Sequence, residues 1–531
     1  MNRLLVPIVV LLTMCQPTAV EAQLPRLLVL LTVEELQSDL LEELRPHLSA
    51  EGLSVLLDKG TVYPNTCNPL LHPNRTSSAA MIQTGTLPLY NGVVGSKTYQ
   101  RTKEGRVVGH KSVFTDDAFI GFSTTDRRSP RALTAPTIGD QLKEASGGSA
   151  IVASLAPNSE EALIGGGHSA DFVLWLDDYN AKWVSSTYYK NSYPWYVTKS
   201  NDQATSPAQS YSTQKWTPLH PATSPKYNTL PYINMPNGGF THSFSKGATG
   251  IAQYKTSGLV NEAVANMACQ LIQQSNIGAD ATPDLLNIHL YAGNYIEDSQ
   301  TLTPQLVDTY YRLDKAIGQI LKCVQRKVGP KGAVVALVGT AHAKTYYNSG
   351  NPLGYFYLNR CKALLNMYLM AKYGQQNWVQ EITEDGQIYL DRQLIKKAGI
   401  ALNNIQDDVA NFMLEFSGIT TAVADYKLRE RAFDAELSAS YLSCLSKNTH
   451  THRGDVLFDI HPGWRIGPDE SKTTSPSLQY TQQAVTSPFI VWHPTASKGE
   501  SIPSPQSILS IAPHLCHILR IRPPTPVTTH P

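Results

Sequence analysis

Cysteine is scarce and scattered. Seven occur in 531 residues and none forms a CxxC pair, which excludes a zinc knuckle and a dense disulfide scaffold. Charge of either sign is also sparse. Lys plus Arg number 44 against 43 Asp plus Glu, with no basic stripe of the kind a nucleic-acid footprint needs, so no nucleic-acid partner is expected. Beyond the N-terminus no stretch approaches ~18 uninterrupted apolar residues, so no transmembrane span is expected. There is no GxSxG elbow, which argues against a Ser-His-Asp hydrolase, and no internal repeat.

The N-terminus carries one charge, Arg3, then an apolar run from Leu4 to Met14. That length fits a signal h-region and is too short to cross a bilayer. Val20 and Ala22 place small residues at −3 and −1 of a cleavage site, so residues 1–22 read as a signal peptide and the protein as periplasmic or secreted. A lipoprotein reading at Cys15 is disfavoured by Met14. In an oxidising compartment the remaining cysteines (Cys67, Cys269, Cys323, Cys361, Cys444 and Cys516) allow one or two disulfides, whose pairing is not readable.

Continuous apolar runs at Leu27–Val33, Leu285–Leu290 and Ala333–Val338 read as buried parallel strands. Helical spacing covers 39–57, 76–84 (with Thr76 as N-cap), 137–145 and 305–328. Strands alternating with helices give an α/β fold, a mostly parallel central sheet with helices on both faces. Ligands in such folds sit at the carboxyl ends of the strands. Two stretches break the rhythm. Residues 183–250, rich in Tyr, Ser, Pro and Asn, read as a cap, and 351–446 as a largely helical insertion. The core is then 23–182, 251–350 and 447–531. Aromatics at the cap (Trp175, Trp183, Tyr188, Tyr189, Tyr193, Trp195 and Tyr196) are the expected surface for a protein partner.

Eight fragments in order carry a family resemblance. Among them are TGTLPLYNGVVGSKTY (Thr84–Tyr99), SPRALTAPTIGDQLK (Ser129–Lys143), GGHSADFVLWLDD (Gly166–Asp178), DTYYRLDKAIGQIL (Asp308–Leu321) and GDVLFDIHPGW (Gly454–Trp464). Together they resemble the alkaline phosphatase superfamily, in its bacterial type I phosphodiesterase/nucleotide pyrophosphatase-like branch. The resemblance implies two zinc ions that clamp a phosphate and activate a Thr or Ser nucleophile. Counting back from Thr84-Gly85-Thr86, the nucleophile position falls on Arg75. The six ligand positions fall on Glu34, Asn294, Asp298, Ala341, His342 and Thr486. The Asn that helps hold the phosphate falls on Ser96. A Lys and an Arg found in some phosphomonoesterases fall near Ala156 and Asn158.

Only His342 keeps its identity. Glu34 and Asp298 keep a carboxylate, and Asn294, Ala341 and Thr486 ligate poorly. A guanidinium at position 75 cannot be deprotonated and opposes a metal ion electrostatically. The expectation is therefore a catalytically inactive homologue without a metal cofactor, acting as a binding or assembly module. Arg75 either pairs with pocket carboxylates or joins Thr76, Ser96 and Asn294 in holding an anionic ligand. The alternative is an active zinc-dependent phosphoric ester hydrolase with an altered site, with Thr76 as nucleophile.

Overall fold

The structure is a computed structural model that describes residues 24–70, 73–121, 124–228, 235–295, 303–343, 354–429, 453–461, 464–467, 479–480 and 483–525. The expected signal peptide, Asp298 and Cys444 lie outside the described residues. Strand β1 (Leu27–Glu34) sits at the centre of a ten-stranded sheet. Further strands of that sheet are β2 (Thr61–Cys67), β3 (Val152–Ala156), β4 (Phe172–Leu176), β5 (Trp183–Val184), β6 (Asp284–Tyr291), β7 (Ala333–Gly339) and β8 (Ser487–Trp492). Their spatial order is β2-β8-β7-β1-β6-β3-β4-β5. β1 is parallel to both β6 and β7 over its length, pairing Glu34 with Tyr291 and Val33 with Gly339. β8 runs antiparallel to β7 and β2. The sheet is thus mixed but mostly parallel.

Alternation along β1 builds two cores. Leu27, Val29, Leu31 and Val33 face one, with α1 (Ser38–Leu44), α2 (Leu53–Lys59), α6 (Leu259–Gln274) and α7 (Pro304–Val328). Leu28 and Leu30 face the other, with α3 (Arg75–Thr84), α4 (Ile138–Ala145), α5 (Ser159–Gly166) and α8 (Ile511–Leu519). Helices therefore cover both faces, as the apolar strand runs required. The single helical span expected over 39–57 is two short helices, because Pro46 turns the chain into a 3-10 turn before the loop that precedes α2. A Cys269–Cys323 disulfide ties α6 to α7.

Among its described residues the cap turns most of its aromatic rings inwards. Trp175, Trp183 and Tyr196 are buried, and Trp216, Tyr227, Phe240 and Phe244 belong to the core that includes α7. Of the aromatics expected at a partner surface, Trp195 is the largely exposed one, at 60 %. Buried Asp308 on α7 explains why. It accepts hydrogen bonds from Trp216 Nε1 (2.6 Å), Leu219 N (2.6 Å), Tyr227 Oη (3.0 Å) and Arg312 Nε (2.7 Å), so the polar tips of the cap are consumed inwards.

The insertion differs from expectation as well. Helices Leu358–Tyr373 and Leu402–Met413 are present, but they pack on a four-stranded sheet of Val379–Ile382, Gln387–Leu390, Ile419–Ala424 and Val456–Ile460, with its own core. The lobe is α/β rather than helical and extends past residue 446.

Candidate functional site

The site is built where the carboxyl ends of β1, β6 and β7 meet the amino ends of α3 and α5. Backbone and hydroxyl contacts lock the loops together. Thr340 Oγ1 accepts from Glu35 N (3.1 Å) and Thr340 N donates to Val33 O (3.1 Å). Ser487 Oγ accepts from Ala341 N (3.1 Å) and donates to Leu36 O. Ser38 N donates to Thr486 O (3.0 Å). Glu35 and Ala341 have φ of 59° and 51°, the left-handed region that non-glycine residues adopt at a cost of ~1–3 kcal/mol. Both sit one or two residues beyond a strand end, where the chain must turn sharply to leave the sheet.

At the end of β1 and just after β7, Glu34, Glu35 and His342 bring one ligand atom each to within 4.8 Å of one another. Glu35 was not foreseen. An apolar strand ending in two acids carried that signal, since only the first aligned with an expected ligand position. Asn294 is buried, and its Oδ1 accepts from Thr303 Oγ1 at 3.0 Å. Thr303 is the N-cap of α7, so the amide braces a helix start. Ala341 offers only a methyl group. Thr486 is half-buried beside α1, and Ser96 is half-buried, with its carbonyl bound by Val113 N.

Arg75 is the first residue of α3. Its N-cap is Asn74, whose side chain accepts from Ser77 N in a capping box. This corrects the expectation of Thr76 as the cap: Asn accepts more readily there and its backbone is extended. Asn74 Nδ2 also donates to Val94 O (2.8 Å), which brings the segment leading to Ser96 against the start of α3. Thr76 is fully buried and its hydroxyl donates to Glu161 Oε1 at 3.1 Å. The hydroxyl is thus turned towards Glu161 rather than towards solvent.

Arg75 Nε lies 3.5 Å from Glu161 Oε1. The Arg75 side chain is 33 % exposed, that of Glu161 6 %. Behind them, Glu160 accepts from Arg128 Nη1 (3.0 Å) and Ser112 Oγ (2.7 Å), and Arg128 also pairs with Asp126. The two acids open α5, where the helix dipole favours negative charge. Burial works against ionisation of Glu160, but Arg128 and Arg75 outweigh it and hold the carboxyl at about 2. Glu161 goes the other way: burial, joined by the charge of Glu160, lifts it above the usual range although Arg75 opposes this. Burial also disfavours the Arg75 cation, yet Glu161, Glu34 and Glu160 leave it more firmly protonated than free arginine. Glu160, Glu161 and Arg128 were missed from sequence. Adjacent acids in a helix's first turn, two residues beyond Asn158, were the available signal.

Comparison with known proteins places the chain in a family and its fold beside a solved one. The model of the family described as type I phosphodiesterase / nucleotide pyrophosphatase matches residues 28–487. The chain is 22 % identical over 528 residues to alkaline phosphatase PafA of Elizabethkingia meningoseptica, covering 94 % of this chain and 92 % of that one. It is 23 % identical over 519 residues, with the same coverage, to a protein of Myroides odoratus named calcium-transporting ATPase. The crystal structure of wild-type PafA matches the fold with a TM-score of 0.79 at 20 % identity, covering 96 % of this chain and 98 % of that one.

Proposed function

The chain belongs to the type I phosphodiesterase / nucleotide pyrophosphatase family of the alkaline phosphatase superfamily, and on that premise we propose that it is a non-hydrolytic member, a binding module working outside the cytoplasm. The observation that carries this reading is the Arg75–Glu161 pair at the start of α3, where the superfamily resemblance calls for a nucleophilic hydroxyl. A guanidinium supplies no nucleophile, and the neighbouring Thr76 hydroxyl is buried against the same carboxylate.

Among the described residues, which do not include Asp298, the donors do not fit a pair of zinc ions. Two ions need two sets of donors. Among the described residues one trio forms, Glu34, Glu35 and His342, while Ala341 has no donor and the Asn294 carbonyl oxygen is engaged by Thr303. Arg75 instead supplies positive charge among Glu34, Glu160 and Glu161. With three carboxylates near one guanidinium, and Arg128 shared between Glu160 and Asp126, negative charge is in excess and the pocket offers an oxyanion little net attraction. Export is supported by the signal-like N-terminus and by the Cys269–Cys323 disulfide, which persists in oxidising compartments.

Metal analysis of the purified protein together with p-nitrophenyl phosphate turnover tests the reading. No stoichiometric zinc, no turnover and no Arg75-dependent thermal stabilisation by inorganic phosphate are expected. Stoichiometric zinc with turnover abolished in Thr76→Ala overturns it. The Glu34/Glu35/His342 trio favours the one competing reading, a hydrolase with a rearranged metal site. That reading predicts turnover that survives Thr76→Ala but fails in His342→Ala.

A further inference from the structure

A hairpin of the core, strands Lys97–Arg101 and Val107–Ser112, meets the insertion lobe at its strand Val379–Ile382, and a cleft of about 800 Å³ opens between them. The volume falls within the range of small-molecule sites. Hairpin and lobe are fastened to each other along it. Gln380 Oε1 accepts from Val107 N (2.7 Å), and Gln380 Nε2 donates to Asp391 Oδ2 (3.1 Å). Arg101 reaches across to Leu390 O (2.9 Å) and to the buried carboxylate of Asp455 (2.7 Å). The walls are thus preformed, and filling the cleft requires little ordering of them.

The lining has two ends. At one, Tyr99 and His110 are opposite each other in the hairpin, ring centroids 5.7 Å apart, and Tyr389 of the lobe backs Tyr99 at 4.7 Å. Glu381 is the strand partner of Tyr389 and belongs to the same end. At the other, Arg106 Nε lies 4.0 Å from Asp391 Oδ2, and Asp391 N donates to Trp378 O, beside Asn377. Arg106 and His110 are four residues of extended chain apart, about 13 Å, so the two ends meet different parts of any ligand. Between them lies Gly109, at φ 148°, where an added Cβ would have nothing within 4 Å. A glycine inside a strand marks a place where another group can approach the backbone closely.

Charge along the cleft is matched. Arg106 faces Asp391, and Lys362 faces Glu381 at 3.8 Å, which leaves no surplus to draw in an ion. Hydrogen-bonding capacity does remain. Among the described residues no hydrogen bond engages the side chains of Arg106, His110 or Asn377, all of them exposed. Rings at one end, spare donors and acceptors at the other and balanced charge between them suit a ligand that is itself ring-shaped, uncharged and rich in hydroxyls. We propose that this cleft binds an extended, neutral oligosaccharide, one sugar ring lying against Tyr99 and His110 and a following one hydrogen-bonded by Arg106 and Asn377. The site is independent of the central pocket, so its failure leaves the proposed function standing, and the reverse.

Saturation-transfer NMR titration of the intact protein with cellotetraose and with N-acetylchitotetraose, both straight chains of linked pyranose rings, tests it. Binding of at least one is expected. It should weaken about fivefold or more in His110→Ala and in Asn377→Ala, as for a lost ring contact or hydrogen bond. It should be unchanged in Trp195→Ala, whose exposed ring stands on the cap. His110 and Asn377 are exposed, so their replacement leaves the fold intact and keeps the result interpretable. Binding of neither sugar, wild-type affinity in either cleft variant, or affinity lost in Trp195→Ala overturns the proposal.

Discussion

Replacing Arg75 with Met removes the guanidinium while keeping most of its apolar stem. Two unit charges 3.5 Å apart attract by about 5 kcal/mol at an effective dielectric near 20. Arg75 is one-third exposed, so solvent screens a good part of this and ~2–3 kcal/mol is the expected penalty. That penalty depends on pH through Glu161. Its folded pKa already lies above the ordinary carboxyl value of 4.5, and losing Arg75 raises it further. A group with a raised folded pKa contributes stability below the unfolded value and loses that contribution as pH rises through the folded one. The Glu161 share of the penalty is therefore smaller at pH 4.5 than at pH 8, while the share from Glu160, ionised at both, is unchanged. Adding Glu161→Gln removes the stranded charge, and the Gln oxygen still accepts from Thr76, so Arg75→Met/Glu161→Gln recovers all but about 1 kcal/mol. Urea denaturation followed by tryptophan fluorescence at both pH values reads this out. Equal penalties at pH 4.5 and 8, or no recovery in the double variant, would refute the pairing as the organising interaction of the pocket.

Three further outcomes follow from buried groups. Asp308→Ala strands the Trp216, Tyr227 and Arg312 donors and is expected to cost ~3–5 kcal/mol, with hydrogen exchange rising first in the cap. His289, buried in β6 and pulled down to about 3 by burial, stays neutral in the fold. Its contribution is present above the unfolded value of 6.5 and lost as pH falls towards 3, on the order of 4 kcal/mol in all; acid titration of His289→Asn should show a shallower loss. Cys269→Ser/Cys323→Ser opens a loop closed across 54 residues and should lower stability by about 4 kcal/mol, seen as a depressed unfolding midpoint that reductant no longer shifts.

The parallel sheet was readable because strands buried on both faces carry no alternation to disguise them, as Leu27–Val33 and Ala333–Val338 show. The lobe was not. Its strands Val379–Ile382 and Gln387–Leu390 are four residues long, shorter than any period a sequence scan separates from a loop, and its central strand Val456–Ile460 arrives more than sixty residues later. The cap failed for a different reason. Aromatic density is the same whether rings face a partner or a core, and what turns Trp216 and Tyr227 inwards is a carboxylate 92 and 81 residues away. At the site, Arg75 and Ala341 were legible because each is fixed by counting from a neighbouring motif. Glu161 was not, since its meeting with Arg75 depends on how the starts of α3 and α5 pack, far apart in the chain.

The hydrogen-bond lattice beneath the pocket bears on what holds its loops in place. In a binuclear site the ions themselves cross-link the loops, and a chain that loses ligands is expected to lose loop geometry with them. Here Thr340 ties the turn after β7 to Glu35 and Val33, Ser487 ties Ala341 to Leu36, and Ser38 binds the backbone of residue 486. The ends of β1, β7 and β8 are thus joined to one another by protein groups. The left-handed backbones of Glu35 and Ala341 are strained conformations that persist only where the surroundings over-determine them, and these hydrogen bonds contribute to that. The loops that frame the pocket are thus held by hydrogen bonds among protein groups, none of which involves the side chains at 75, 294, 341 or 486.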